Sequence, residues 1–169
     1  MKIFGFAGWS GSGKTTLIEQ LIPCFVHAGL KVSLIKHAHH SFDVDHPGKD
    51  SFRHRAAGCT EVLVSSEGRW ALMHELRGDP ESRLEQQIKR MSPCDLLLIE
   101  GYKTYPMPKL EVYRAANGKP LLHPEDEHIV AVATDVPLAT RLPQLGLDQH
   151  AAIARFILDK LKLAKGTKV

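Results

Sequence analysis

Cysteine is scarce in this chain. Cys24, Cys59 and Cys94 are the three among 169 residues, far apart and odd in number. No C-x-x-C pair occurs, which argues against both a metal ribbon and a disulfide framework. No apolar run approaches the length of a membrane span, so no membrane partner is expected. The chain enters a strand-like run almost at its first residues, which predicts no signal peptide and, most simply, a cytoplasmic protein. Neither sign of charge dominates: 22 Lys and Arg face 19 Asp and Glu, for a net charge of +3. That balance is too mild to indicate nucleic acid. Internal repeats and low-complexity tracts are also missing. What remains is a 43% hydrophobic chain, enough for the core of one α/β domain over residues 1–169.

Against that plain background one segment is specific. Gly8-Trp9-Ser10-Gly11-Ser12-Gly13-Lys14-Thr15-Thr16 fits the P-loop pattern G-x-x-x-x-G-K-[ST]. Gly8, Gly11 and Gly13 remove the Cβ atoms that would keep backbone N–H groups from phosphate oxygens, and Ser12 is small. Lys14 supplies a point charge to the β- and γ-phosphates, and the Thr15 hydroxyl is placed to ligate Mg²⁺. The context agrees. Lys2–Ala7 is a strand-length apolar run, and Leu17, Leu21 and Phe25 beside Ile18, Ile22 and Val26 trace one helix face. Gly29 marks the helix end, while Pro23 predicts a kink or an early stop.

Downstream, strands are expected at 31–35, 61–65, 69–73, 95–99 and 129–133, and helices at 50–57, 81–91 and 149–163. Residues 110–113 alternate and read as an edge strand before a turn at Asn117-Gly118. The expected fold is α/β: a three-layer P-loop NTPase architecture with a mostly parallel central sheet and antiparallel edge strands. Ligands of such sheets lie beyond the carboxyl ends of the strands. Four groups fall there: the P-loop, Lys36-His37, Glu100-Gly101 and Thr134-Asp135.

Two carboxylates bracket the Leu-rich strand. Asp95 starts it and lies roughly 16 Å from the end, given about 3.3 Å per residue. Glu100 is therefore the better metal-side carboxylate, and Lys14 and Glu100 are the candidate catalytic pair. Asp50 either joins the Mg²⁺ shell through water or caps the following helix. Lys36 leaves a strand on the ligand side, ahead of His37, His39 and His40, and suits a phosphate-sensing loop. The spacing of those histidines with Asp43, Asp45 and His46 matches no standard zinc pattern. For the base, N-K-x-D is excluded, because the single asparagine, Asn117, precedes Gly118-Lys119. Asp135 remains: a carboxylate accepts from both N1–H and the exocyclic amine of guanine. Its alternative is turn formation with Val136-Pro137. Histidines 123 and 128 read as solvated loop residues.

These segments, with Leu34–His40, Asp43–Asp45, Pro47-Gly48-Lys49-Asp50-Ser51, Arg69–Met73, Ile99–Lys103 and Val132–Pro137, resemble those of the MobB family, in the same order across most of the chain. That is the family of GTP-binding adapters of molybdopterin-guanine dinucleotide biosynthesis. The resemblance implies GTP and Mg²⁺ as ligands, slow GTP hydrolysis and a homodimer. It also implies partnership with the molybdenum cofactor guanylyltransferase and with molybdenum-inserting proteins. It places phosphate contacts at Gly11, Ser12, Gly13, Lys14, Thr15 and Thr16. Flanking contacts fall at Gly48, Lys49, Asp50 and Ser51, and at Glu100, Gly101, Tyr102 and Lys103. The alternative is a small-molecule kinase or phosphotransferase. Arg53, Arg55, Arg69, Arg77 and Arg83 are available for a phosphate-closing lid, but none forms a lid motif.

Overall fold

A computed structural model of the chain describes residues 1–38 and 42–163. In chain order the elements are β1 (Lys2–Ala7), α1 (Lys14–His27), β2 (Val32–Lys36), α2 (Asp50–Ala56), β3 (Glu61–Ser65), β4 (Trp70–His74), α3 (Leu84–Arg90), β5 (Leu96–Glu100), β6 (Lys109–Tyr113), β7 (Ile129–Thr134), β8 (Gln144–Gly146) and α4 (His150–Leu161). The single domain read from the sequence parcels into two compact units. One comprises Met1–His37 and the chain from Met91 onward, the other Ala38–Arg90.

The first unit is built on a six-stranded sheet in the order β2-β5-β1-β6-β7-β8. Every pairing in it is parallel. A parallel sheet therefore delivers all its strand ends to one edge. Alternate side chains of one face, including Phe4, Phe6, Leu96, Leu98, Leu110 and Val112, join Leu17, Ile18, Leu21 and Phe25 of α1 and Ile153 and Ile157 of α4 in one core. The near-continuous apolar strands follow from coverage on both faces.

Pro23 does not stop α1, which continues to His27. Burial of four side chains, at about 1.5–3 kcal/mol each, outweighs the roughly 3 kcal/mol of an internal proline. The helix ends where Gly29 takes φ 78° and the Leu30 N–H reaches Phe25 O at 3.2 Å.

Strand β6 departs from the expectation of an edge. It lies between β1 and β7, and its polar residues Lys109 and Glu111 are buried on the face opposite Leu110. The Lys109 ammonium donates to the carbonyls of Lys103 at 2.6 Å and Tyr105 at 2.9 Å, and pairs with Asp126. Glu111 accepts from the N–H groups of Leu122 at 2.6 Å and His123 at 2.9 Å. Over β6, then, loops close the second face, and two buried charges pin them. His123 is not solvated either: its Nδ1 lies 3.1 Å from Glu111 Oε2. The turn at Asn117-Gly118 is a 3₁₀ turn over Ala115–Asn117, ended by Gly118 at φ 60°.

In the second unit, β3 and β4 pair antiparallel in a separate two-stranded sheet. These two strands are the antiparallel pair that the sequence led one to expect, and they hydrogen-bond to each other. Arg55 of α2 clamps Asp43 at 2.8 Å and Glu75 at 2.6 Å. Helix α3 is shorter than expected, starting at Leu84 rather than 81.

Candidate functional site

The loop between β1 and α1 carries three glycines at positive φ: 151° at Gly8, 80° at Gly11 and 92° at Gly13. A Cβ on Gly8 would lie 2.6 Å from Val112 O and 2.7 Å from Ser12 Oγ, so only glycine fits there. Gly13 occupies the N-cap of α1 without a side-chain cap. The first-turn N–H groups thereby carry no side-chain cap, an arrangement that could receive an anion. Ser12 is 2% exposed and its Oγ has no hydrogen-bond partner among the described residues. A buried orphan hydroxyl inside a glycine cradle fits a phosphate oxygen.

Lys14 folds back over this loop, its ammonium donating to Gly8 O at 3.0 Å and Trp9 O at 2.9 Å. Burial pushes its pKa below the ordinary lysine value. Glu100 opposes that shift, while Lys103 and Lys36 add to it. Thr15 Oγ1 donates to Glu100 Oε1 at 2.7 Å. Lys36 donates to Thr15 Oγ1 at 3.1 Å and lies 3.4 Å from Glu100 Oε2. Strand pairing explains the cluster, since Lys36 is the register partner of Glu100, and Phe6 is its partner on the other side. Glu100 is the last residue of β5 and is 6% exposed. Asp95 lies at the opposite end, where its Oδ2 accepts the Lys31 N–H at 2.8 Å. Thr15 and Glu100 together offer hard oxygen donors of the kind Mg²⁺ takes. Among the described residues no cluster of three His, Cys, Asp or Glu is placed to hold a metal by itself.

After Glu100 the chain turns through Gly101 at φ 97° and Tyr102 at φ 48°. The Tyr102 ring meets His37 at 4.7 Å between centroids. Lys103 sets its ammonium 4.2 Å from the centre of the Trp9 ring, a cation–π contact. The Trp9 indole donates to Pro120 O at 2.7 Å.

On the other side of the P-loop the structure adds residues that sequence reasoning missed. Arg114 follows β6 directly, and a Cβ on Gly13 would lie 3.5 Å from its Nη2. Asn117, read as a turn residue, donates its amide to Ser10 O at 2.9 Å and so holds the P-loop. Asp135 accepts the Ala115 N–H at 2.9 Å and lies 3.8 Å from Arg114 Nη1. The Val136 turn is made by Thr134 instead, whose hydroxyl donates to Val136 O at 2.8 Å. The available signal for Arg114 was its position immediately after a strand, at the carboxyl end.

The remaining predicted residues belong to the second unit. Gly48 takes φ 92°, and Lys49 is the extended N-cap of α2. Asp50 opens the helix as an exposed residue 3.5 Å from Arg53, without capping it by a side-chain bond. The Ser51 hydroxyl donates to Asp45 Oδ1 at 3.0 Å. Lys49 and Ser51 also line a cleft of 530 Å³ with His46, Arg69 and Trp70. His39 and His40 of the histidine-rich loop lie outside the described residues.

A profile of the MobB family, described as molybdopterin guanine dinucleotide synthesis protein B, matches residues 3–135. The molybdopterin-guanine dinucleotide biosynthesis adapter protein of Escherichia coli (strain K12) is 40% identical over 170 residues, spanning 97% of this chain and 95% of that protein. The adapter protein of the same name from Haemophilus influenzae is 44% identical over 169 residues, spanning 98% of this chain and 93% of that one. The crystal structure of Bacillus subtilis MobB superposes with a TM-score of 0.75 at 25% identity, covering 95% of this chain and 98% of that one. The chain, P-loop and Glu100 strand end included, belongs to the MobB family.

Proposed function

We propose that the chain is a GTP-binding adapter in molybdopterin-guanine dinucleotide biosynthesis, taking GTP with Mg²⁺ and hydrolysing it slowly. The observation that carries the nucleotide reading is the 2.7 Å bond from Thr15 to buried Glu100, beside a glycine cradle with an orphan Ser12 hydroxyl. Gly8, Gly11, Ser12 and Gly13 present backbone donors to phosphate, and Lys14 adds its charge. Thr15 and Glu100 would hold Mg²⁺, Glu100 directly or through water, with Lys36 balancing the carboxylate. When bound, the metal supplies charge neutralisation between the β- and γ-phosphates. The adapter part rests on the names of the relatives from Escherichia coli and Haemophilus influenzae.

Slow turnover is the reading we favour over phosphoryl transfer to a second substrate. Arg55 is committed to Asp43 and Glu75, and the Arg77 guanidinium donates to Arg55 O at 2.6 Å and Cys59 O at 3.0 Å. Both arginines serve the second unit's own structure, which disfavours the kinase reading with its mobile arginine lid. Partnership is the remaining purpose: a guanylyltransferase that joins GMP to molybdopterin, and molybdenum-inserting proteins downstream. A homodimer of this chain is part of the proposal, supported by the exposed Leu63, Trp70 and Leu72 on the β3–β4 hairpin. No described helix is long and apolar enough to cross a membrane, and the cytoplasm is the compartment we propose. The test is a guanylyl-transfer assay with the partner enzyme. Wild-type chain raises product formation and the Lys14→Ala variant does not. Equal stimulation by both would separate adapter activity from the nucleotide site.

A further inference from the structure

The sheet order sets a direction across the P-loop. Strand β5, with Glu100, flanks β1 on one side, and β6, with Arg114 at its end, flanks it on the other. The metal-side carboxylate and the arginine therefore stand on opposite sides of the phosphate cradle. The Arg114 guanidinium packs against Gly13, the residue whose amide closes the cradle at the N-cap of α1. Its side chain is 46% exposed, and its ion pair with Asp135, at 3.8 Å, is longer than a hydrogen bond. Asp135 is fixed in turn, since its other oxygen accepts the Ala115 N–H at 2.9 Å. The same carboxylate thus steers the arginine and ties down the backbone that carries it.

We propose that Arg114 is a phosphate contact of the bound nucleotide, approaching from the side opposite Glu100, and that Asp135 is the positioning residue that aims it. The inference rests on the nucleotide reading given above. A guanidinium presents a planar fork of donors that suits phosphate oxygens and carries no acceptor. Placed across the cradle from the Thr15–Glu100 pair, it adds positive charge without competing for the metal's ligands. Lys36 is balanced by Glu100 at 3.4 Å and Lys103 lies over the Trp9 ring, whereas the Arg114 guanidinium lies beside Gly13 itself. Asp135 consequently moves from base reader to brace: its two oxygens face the Arg114–Ala115 segment.

The test is equilibrium binding of GTP and ATP to the full chain, wild type and variants, with Mg²⁺ and with a chelator. Arg114→Ala should lower affinity about ten- to hundredfold for both nucleotides, as the loss of a charge-assisted bond predicts. The loss should persist in chelator, because the arginine does not act through the metal. Arg114→Lys should recover part of it. Asp135→Asn should give a smaller, equally base-blind loss, rather than a loss confined to GTP. Unchanged affinity in Arg114→Ala while Lys14→Ala abolishes binding would overturn the inference and leave the nucleotide reading standing. A loss confined to GTP in either variant would also overturn it, making this corner a base reader. A wild-type chain that binds neither nucleotide would bring down both. Far-UV circular dichroism of Arg114→Ala and Arg114→Lys guards against misfolding, and matching spectra make the comparison valid.

Discussion

Thr15 and Glu100, 85 positions apart, share a 2.7 Å hydrogen bond that joins the start of α1 to the end of β5. The bond exists because β1 and β5 are parallel neighbours, so the P-loop and the Glu100 carboxylate leave the sheet at the same edge. Lys36 completes the corner from β2. A hydroxyl, a carboxylate and an ammonium thus converge at one end of the cradle, with the Lys14 charge beside them.

On the proposed reading, this corner should make nucleotide affinity metal-dependent. Glu100→Gln keeps the shape and removes the charge. In titrations with and without Mg²⁺, the wild type should bind more tightly with the metal. The variant should lose most of that difference while keeping its metal-free affinity within a few-fold. A variant whose Mg²⁺ response equals the wild type's would remove Glu100 from the metal site.

Lys14 gives a pH dependence whose sign is set by burial. Its pKa in the folded protein lies below the ordinary lysine value. Its charge is therefore present at neutral pH and lost earlier on the alkaline side than for a solvated lysine. Phosphate stabilises the charged form, so nucleotide binding should take up protons in that alkaline window, and affinity should fall as pH rises through it. The same shift works against folding while Lys14 is charged, and that penalty fades as pH rises toward the unfolded lysine value. Affinity measured along a pH series, with Lys14→Arg as a non-titrating comparison, checks this. A flat profile in the wild type on the alkaline side would contradict it.

Gly8 is predicted to tolerate no side chain. Gly8→Ala places a methyl 2.6 Å from a backbone carbonyl at a φ of 151°. We expect a strong loss of affinity for both GTP and ATP, because the cradle is blind to the base. Thermal melting of the same variant reports how much of the strain is absorbed by the fold, where one such conflict costs on the order of 1–3 kcal/mol.

How much of this was legible in the sequence follows from range. The P-loop was readable because its geometry depends on nine consecutive residues, and Glu100 because strand periodicity put it at the ligand end and Asp95 at the other. Arg114 and Asn117 were hidden, since their nearness to Gly13 and Ser10 depends on β6 lying next to β1. Strand β6 itself misled: alternating Lys109 and Glu111 look like a solvated face, and nothing local reveals that loops bury them. Pro23 misled in the opposite direction, because propensity is local while the packing that overrides it is not.

Lys109 gives a prediction for that buried face. Lys109→Met keeps the volume but removes the ammonium from the Lys103 carbonyl and from Asp126, while the Tyr105 carbonyl keeps the Met107 N–H at 2.9 Å. We expect a destabilisation of about 2–4 kcal/mol in chemical denaturation, from unsatisfied buried groups. Because those carbonyls position the loop carrying Lys103 over Trp9, Trp fluorescence should shift as well. A variant as stable as the wild type would show that the loops close this face without the ammonium.

The central claim is a Mg²⁺-dependent guanine nucleotide site at the P-loop. Isothermal titration calorimetry of the wild-type chain with GTP and with ATP, each in the presence of Mg²⁺, tests it most directly. We expect saturable GTP binding that is tighter than ATP binding and is lost in Lys14→Ala. No binding heat with GTP, or binding that survives Lys14→Ala unchanged, would contradict it.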